Sequence, residues 1–354
     1  GNPYVTPDVT IAAARRSAYA ILAAHRRDVE ALVDLLSLSD LLAPAPAALL
    51  ESLERDREDL PDVWRANRRR NKHEPVRLKL SFIAARLEAT RRLIAARDAG
   101  RIAAEPAAYA SAEPLERDLL LVRGALDEAG AARAREAHLD PLLARVQAHG
   151  MHGFLLDVRD HADVHTKTVA AIASSVGLGE PNLDMLRREL AGRRPLVGNH
   201  VPLDDDTRRT LDVFRVMRQI QEELGADAAR TYIISMARST EDLLRVLILA
   251  REAGLVDLAS DPPASRLDVV PLFETLDDLN RAPTVVRALL EDPVYMEEPH
   301  LQSISFRRDL GLSAETHPAF STDRLRRSQD PLARRPRWVR IVLRRELPRR
   351  GPGQ

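Results

Sequence analysis

Three observations predict a mostly α-helical α/β fold for this chain. Apolar residues recur at helical spacing through the first 145 residues, and three short β-prone segments alternate with helices after them. The third is size: 354 residues at 45% hydrophobic composition supply apolar surface for about two domains' worth of core.

The elements follow in order. Thr6 followed by Pro7 reads as a cap with proline at the first helical position, and Ile11, Ala14, Ala18 and Ile21 form the stripe behind it. Val29, Leu32, Val33 and Leu36 extend that stripe, and Pro44, Pro46 and Pro61 then break the chain into a less regular connector. Pro75 opens a second long helix with Leu80, Ile83 and Leu87 inward. Pro114 opens a third through Leu119, Val122 and Leu126. Beyond residue 145 the β-prone segments are Gly153 to Val158, Thr231 to Met236 and Leu267 to Phe273. A helix carrying Leu211, Phe214, Met217 and Ile220 lies between the first two. After the second, Ser239 to Asp242 resembles a capping box whose helix runs to Gly254. Strand, helix, strand is the pattern of parallel α/β packing, and three strands cannot close an eight-stranded barrel.

Charge and composition exclude several functions. The formal net charge is zero, but eleven arginines against Asp323, Asp330 and Glu346 make the stretch from Ser321 onward basic and leave the body mildly acidic. The run Arg334-Arg335-Pro336-Arg337-Trp338 could neutralise phosphates and stack a base. With no nucleic-acid fold before it, and five prolines from Pro318 onward, it reads as a solvated, poorly ordered tail. The chain has no cysteine, hence no disulfide, thiolate metal site or catalytic thiol. No apolar run approaches the roughly 20 residues of a membrane helix. The N-terminus, Gly1-Asn2-Pro3-Tyr4, has neither a signal-peptide pattern nor an initiator methionine, and a cytoplasmic location is expected. Neither GxGxxG, GxxxxGK[ST] nor GxSxG occurs.

Two constellations could carry chemistry. The first is Asp157-Val158-Arg159-Asp160-His161, continuing to Asp163 and His165, at a strand end. The planar fork of Arg159 suits a phosphate or carboxylate, against the plainer reading of a salt bridge with its flanking acids. His161 and His165 have the spacing of a helical metal pair, though such a pair more commonly serves as surface or hydrogen-bonded residues. The second constellation is Pro271 to Leu279, where Glu274 emerges from an apolar strand and suits Mg²⁺, a hard cation that takes few protein oxygens. Asp277 and Asp278 read as favouring the N-terminus of the next helix.

Several segments together resemble phosphoenolpyruvate carboxylases. Gly1-Asn2-Pro3-Tyr4-Val5-Thr6 is similar to the end of that family's GGDRDGNPxVT motif, and Asn71 to Leu80 (NKHEPVRLKL) to its EPYRxKL helix start. His152 and Leu156 to Arg159 match GFHxxxLDxR, His165-Thr166 the later HT, and Arg194-Pro195-Leu196 an RPL turn. Tyr232 to Ala237 (YIISMA) and Val270 to Leu279 (VPLFETLDDL) are the most specific matches. The resemblance runs from Gly1 to about Tyr295. It implies part of a (β/α)₈ barrel wrapped in many extra helices, usually in a homotetramer. The implied reaction is Mg²⁺-dependent carboxylation of phosphoenolpyruvate by bicarbonate to oxaloacetate and phosphate. By the same resemblance Arg159 contacts the substrate phosphate and Glu274 is one of two metal carboxylates.

The departures are equally specific. Where the family has RQES the chain has Arg159-Asp160-His161-Ala162. The TAHPTE, GYSDSxKD and HGRGGSxGRGG segments do not occur, and Thr316-His317-Pro318 echoes the first only superficially and receives no role. No catalytic residue is therefore assigned, and the chain alone is expected to turn over little or no substrate. From Met296 onward nothing matches, as expected of a frame-shifted or spliced-on end. The organisation expected is a helical region over 1–145, barrel strands and helices over 146–295, and the tail over 296–354. The alternative reading is a non-catalytic interaction protein derived from a carboxylase; nucleic-acid binding by the tail is the weakest of the three.

Overall fold

The structure, a computed structural model, describes residues 5–198, 200–260, 263–273, 276–294, 303–307 and 338–342. The chain divides into a helical unit (Asp8–Leu155 with Gln219–Ala228) and a sheet unit formed by most of the remainder.

The helical unit is built on α1 (Pro7–Leu35), whose inward stripe of Ile11, Ala14, Ala18, Leu22, Val29 and Leu32 is buried. The stripe expected from the sequence holds at its start but drifts by Ile21, which is half-buried while Leu22 is fully covered, because 3.6 residues per turn do not divide evenly over a long helix. The stretch expected to be irregular instead contains α2 (Ala47–Asp59) and α3 (Pro61–Asn67). Pro46 immediately precedes the first and Pro61 opens the second, so these prolines start helices. Pro75 opens α4 (Pro75–Asp98), with Leu80, Ile83 and Leu87 buried as expected, and α5 (Ala112–Glu128) buries Leu119, Val122 and Leu126. A turn of helix, α6 (Ala132–Ala134), leads through a π-helical turn into α7 (Asp140–His149).

An ion cluster ties α2, α4 and α5 together. Lys79, 1% exposed, donates to Ser52 Oγ at 2.7 Å and Asp56 Oδ2 at 2.8 Å, and pairs with Asp118 Oδ1 at 2.6 Å. Asp56 also accepts from Arg86 at 3.0 Å, and Asp118 from the buried Tyr109 hydroxyl at 2.8 Å. Such a cluster is sustainable because every charge has a hydrogen-bonded opposite.

In the sheet unit, β1 (Val158–His161), β2 (Thr231–Ser235) and β5 (Asp268–Leu272) lie in the order β1-β2-β5, all parallel. Between them come α8 (Ala162–Ser175), α9 (Leu183–Ala191), α10 (Asp205–Leu224, whose last turn belongs to the helical unit) and α11 (Thr240–Glu252). A two-residue hairpin of β3 (Val256–Asp257) and β4 (Ala264–Ser265) precedes β5, and α12 (Leu276–Glu291) follows it. The expected capping box at Ser239 and Asp242 is present, and Gly254 ends the α11 segment at φ +73°. Within the tail, β6 (Ser303–Arg307) and β7 (Trp338–Val342) pair antiparallel.

One expectation is corrected. The first strand begins at Val158 rather than Gly153: Phe154 and Leu155 are exposed, and Gly150 and Gly153 hold positive φ, so that apolar run lies in a turn. As the count of β-prone segments predicts, the sheet has three parallel strands among the described residues and does not close into a barrel.

The register divides the sheet into two faces. Rows Val158-Tyr232-Val269 and Asp160-Ile234-Pro271 share one face; rows Arg159-Ile233-Val270 and His161-Ser235-Leu272 share the other. Helix α8 packs against β1, and α11 packs against α8, α9 and β5. The first face is closed by rings: Phe214 stacks on Tyr232 at 4.6 Å between centroids, with His165 tilted against it at 5.5 Å.

Candidate active site

Side chains with chemical capacity gather at the C-terminal end of the parallel strands, on the second face, the position where ligands bind in parallel sheets. Arg159 of β1 lies exposed there. Its guanidinium donates from Nη2 to Ser235 Oγ at 2.7 Å and from Nε at 3.2 Å. Ser235 is 7% exposed and ends β2, the central strand, with His161 and Leu272 beside it in register. Behind this pair Ile233, Val270 and Leu272 form a small apolar cluster on the same face.

The chain leaves β2 sharply. Met236 has φ +57°, the only positive value among described residues other than glycine, which costs an ordinary side chain on the order of 1 kcal/mol. Beyond it Asp242 Oδ2 accepts from the backbone amides of Arg238 at 2.9 Å and Ser239 at 3.3 Å, fixing the turn. Arg238 is ion-paired with Asp163 of α8, which ties the two strand-end loops together and holds the Asp163 carboxyl below its ordinary range.

The histidine pair suggested by the sequence does not converge. His161 caps α8, its Nδ1 accepting from Asp163 N at 3.1 Å. His165 turns to the opposite face and is fully buried, with Nε2 2.7 Å from the Tyr232 hydroxyl and Nδ1 without a hydrogen-bond partner. Burial, with smaller contributions from His161 and Arg245, pushes its pKa down to about 4, so it is neutral at physiological pH. Tyr232 is pushed well up by its own burial and by Asp160.

Of the acidic residues, Asp277 is exposed in the first turn of α12 as expected, and Asp278 is buried there and paired with Arg281. Glu274, the expected metal carboxylate, lies outside the described residues, as do Gly1 to Tyr4, Thr316 to Pro318 and the run Arg334 to Arg337. Among the described residues no group of three or more His, Asp or Glu side chains converges, and a Mg²⁺ ion, which takes only one or two protein carboxylates, does not require one. No described helix is long and apolar enough to cross a membrane. His152 sits in the helical unit with Nδ1 3.0 Å from the Phe154 carbonyl, and burial lowers its pKa. In the RPL turn, Leu196 N donates to Glu252 at 2.9 Å.

Sequence reasoning missed Ser235, Met236 and the Tyr232 partnership of His165. The alternation of β2 marks Ser235 as the polar residue of the Ile233 face, which is the signal that could have found it; a positive φ at methionine leaves no trace in sequence.

A sequence model of the phosphoenolpyruvate carboxylase family matches residues 1–305. Phosphoenolpyruvate carboxylase of Thermosynechococcus vestitus is 38% identical over 309 residues, which is 83% of this chain and 30% of the relative. The enzymes of that name from a Synechocystis species and from Gloeobacter violaceus are 35% and 37% identical over 310 and 312 residues, 83% of this chain in each case and 30% and 32% of theirs. The chain therefore spans about a third or less of the curated relatives it matches.

Proposed function

The chain belongs to the phosphoenolpyruvate carboxylase family, and on that premise we propose that it supplies the phosphate-binding strand of a site that joins bicarbonate to phosphoenolpyruvate. In that reaction a bicarbonate oxygen attacks phosphorus, the bond from phosphorus to the enol oxygen breaks, and carboxyphosphate and an enolate result. Carboxyphosphate then breaks down to phosphate and carbon dioxide, and the enolate carbon takes up the carbon dioxide as oxaloacetate.

The observation that carries the reading is Arg159: a cation on β1 whose guanidinium reaches the C-terminal end of the central strand and donates there to the buried hydroxyl of Ser235. Phosphoryl transfer gathers negative charge on the phosphoryl oxygens, and a pre-oriented guanidinium stabilises that charge without reorganising during the step. The family implies a divalent cation as well. That it is Mg²⁺, and that Glu274 holds it, belongs to this proposal; when bound it would neutralise charge on the same oxygens. The reading carries with it residues 146–295 as a barrel segment, a homotetramer and a cytoplasmic location.

Titration calorimetry with phosphoenolpyruvate tests it. Arg159→Gln is expected to weaken binding at least about tenfold, since a charge-assisted bidentate contact is lost. Pyruvate, which lacks the phosphate, is expected not to compete. Equal affinities in wild type and variant would refute the assignment.

A further inference from the structure

We infer that Ser235 is the positioning residue of Arg159: its hydroxyl sets the plane in which the guanidinium meets a phosphate. The inference rests on the functional reading above and adds a residue to it.

The geometry has three parts. Both nitrogens on one edge of the guanidinium, Nε at 3.2 Å and Nη2 at 2.7 Å, converge on a single oxygen, which fixes the rotation of the group about its long axis. That oxygen is itself immobile. Ser235 is 7% exposed and is the last residue of the central strand, paired with His161 on one side and Leu272 on the other. The chain then turns at once through Met236 (φ +57°) into a loop whose amides are held by Asp242. The ladder fixes Ser235 from before and the capped turn from behind, so the hydroxyl is mounted on rigid structure.

The third part is chemical. A carboxylate at position 235 would take the same edge of Arg159 and add a negative charge beside it, whereas a neutral hydroxyl orients the cation without adding one. An alanine there would remove the acceptor on which both nitrogens of that guanidinium edge converge. The unfavourable φ at Met236 fits the same account, because it ends the strand at the residue whose side chain must stay in place.

The experiment compares wild type with Ser235→Ala, Ser235→Cys and Ser235→Thr. The Cys variant keeps the volume with a far weaker acceptor; the Thr variant restores the hydroxyl. The Arg159 Nε–H resonance, assigned by its loss in Arg159→Lys, is followed by ¹⁵N NMR alongside phosphoenolpyruvate affinity by calorimetry. Circular dichroism confirms folding of each variant. Expected is fast exchange of that resonance and about tenfold weaker binding in the Ala and Cys variants, with both restored in the Thr variant. An unchanged resonance, or a changed resonance with unchanged affinity, overturns the inference. Should the wild-type chain bind no phosphoenolpyruvate, the functional reading falls, and the resonance alone decides whether Ser235 holds Arg159.

Discussion

His165 ties the pH dependence of stability to one buried ring. It is fully buried, bonded through Nε2 to the Tyr232 hydroxyl at 2.7 Å, with Nδ1 facing no acceptor. A second proton would place a charge among Tyr232, His161 and Arg245 with no anion to meet it, and its pKa falls to about 4 accordingly. In an unfolded chain the same ring titrates near 6.5. Between those values the unfolded state binds more protons than the native state, so stability rises with pH through that interval. The whole effect is about 3 kcal/mol, present above pH 6.5 and lost progressively as pH falls to 4, with about 2 kcal/mol gone at pH 5. Urea unfolding of wild type and His165→Gln at pH 7 and pH 5 isolates it, since other titrating groups are common to both. The stability advantage of wild type is expected to narrow by about 2 kcal/mol on acidification. A gap that stays constant between the two pH values, or an imidazole NMR titration of His165 centred near 6.5, would falsify this account.

Two further perturbations test packing and strain. Lys79→Met is expected to destabilise the helical unit by about 3–4 kcal/mol, because Asp56 and Asp118 would stay buried with one cation fewer; Trp64 fluorescence during urea unfolding reports it, and a loss below about 1 kcal/mol would contradict a cooperative cluster. Met236→Gly is expected to change stability by less than about 1 kcal/mol, relief at φ +57° offsetting the entropy of glycine, whereas Met236→Val should cost more because a branched side chain tolerates that backbone poorly; equal thermal midpoints for the two variants would argue against strain there.

How much of this could be read from sequence depends on how local each cause is. The α4 segment was legible because Pro75, Leu80, Ile83 and Leu87 lie within a few turns of one another. Lys79 on the same helix was not, since its burial depends on carboxylates from α2 and α5, 23 and 39 positions away, and a lone lysine reads as solvated. The strand expected from Gly153 illustrates the converse. Phe154 and Leu155 have the composition of a strand, yet a strand exists only where a neighbour supplies hydrogen bonds, and Tyr232 of β2 meets the chain first at Val158. Arg159 was identified from residue type and position at a strand end. Ser235 required the register, which is a property of two strands 76 residues apart.

The alternation of β1 and β2 then explains why the two histidines and the arginine of one short segment have separate roles. Arg159 is an odd position of β1 and projects from the same face as Ile233 and Ser235; Asp160 falls on the face of Tyr232. His161 ends the strand, and its ring is drawn into capping α8, which begins at the next residue. One turn on, His165 lies on the side of α8 that meets Tyr232 and Phe214, so it becomes part of the packed layer. A pair spaced as metal ligands is thus parted by the change from strand to helix between Asp160 and Ala162, where side-chain periodicity passes from two residues to 3.6. That change leaves one face of the sheet closed by rings and the other carrying the Arg159 cation held by Ser235, and it is the second face on which the proposed phosphate recognition rests.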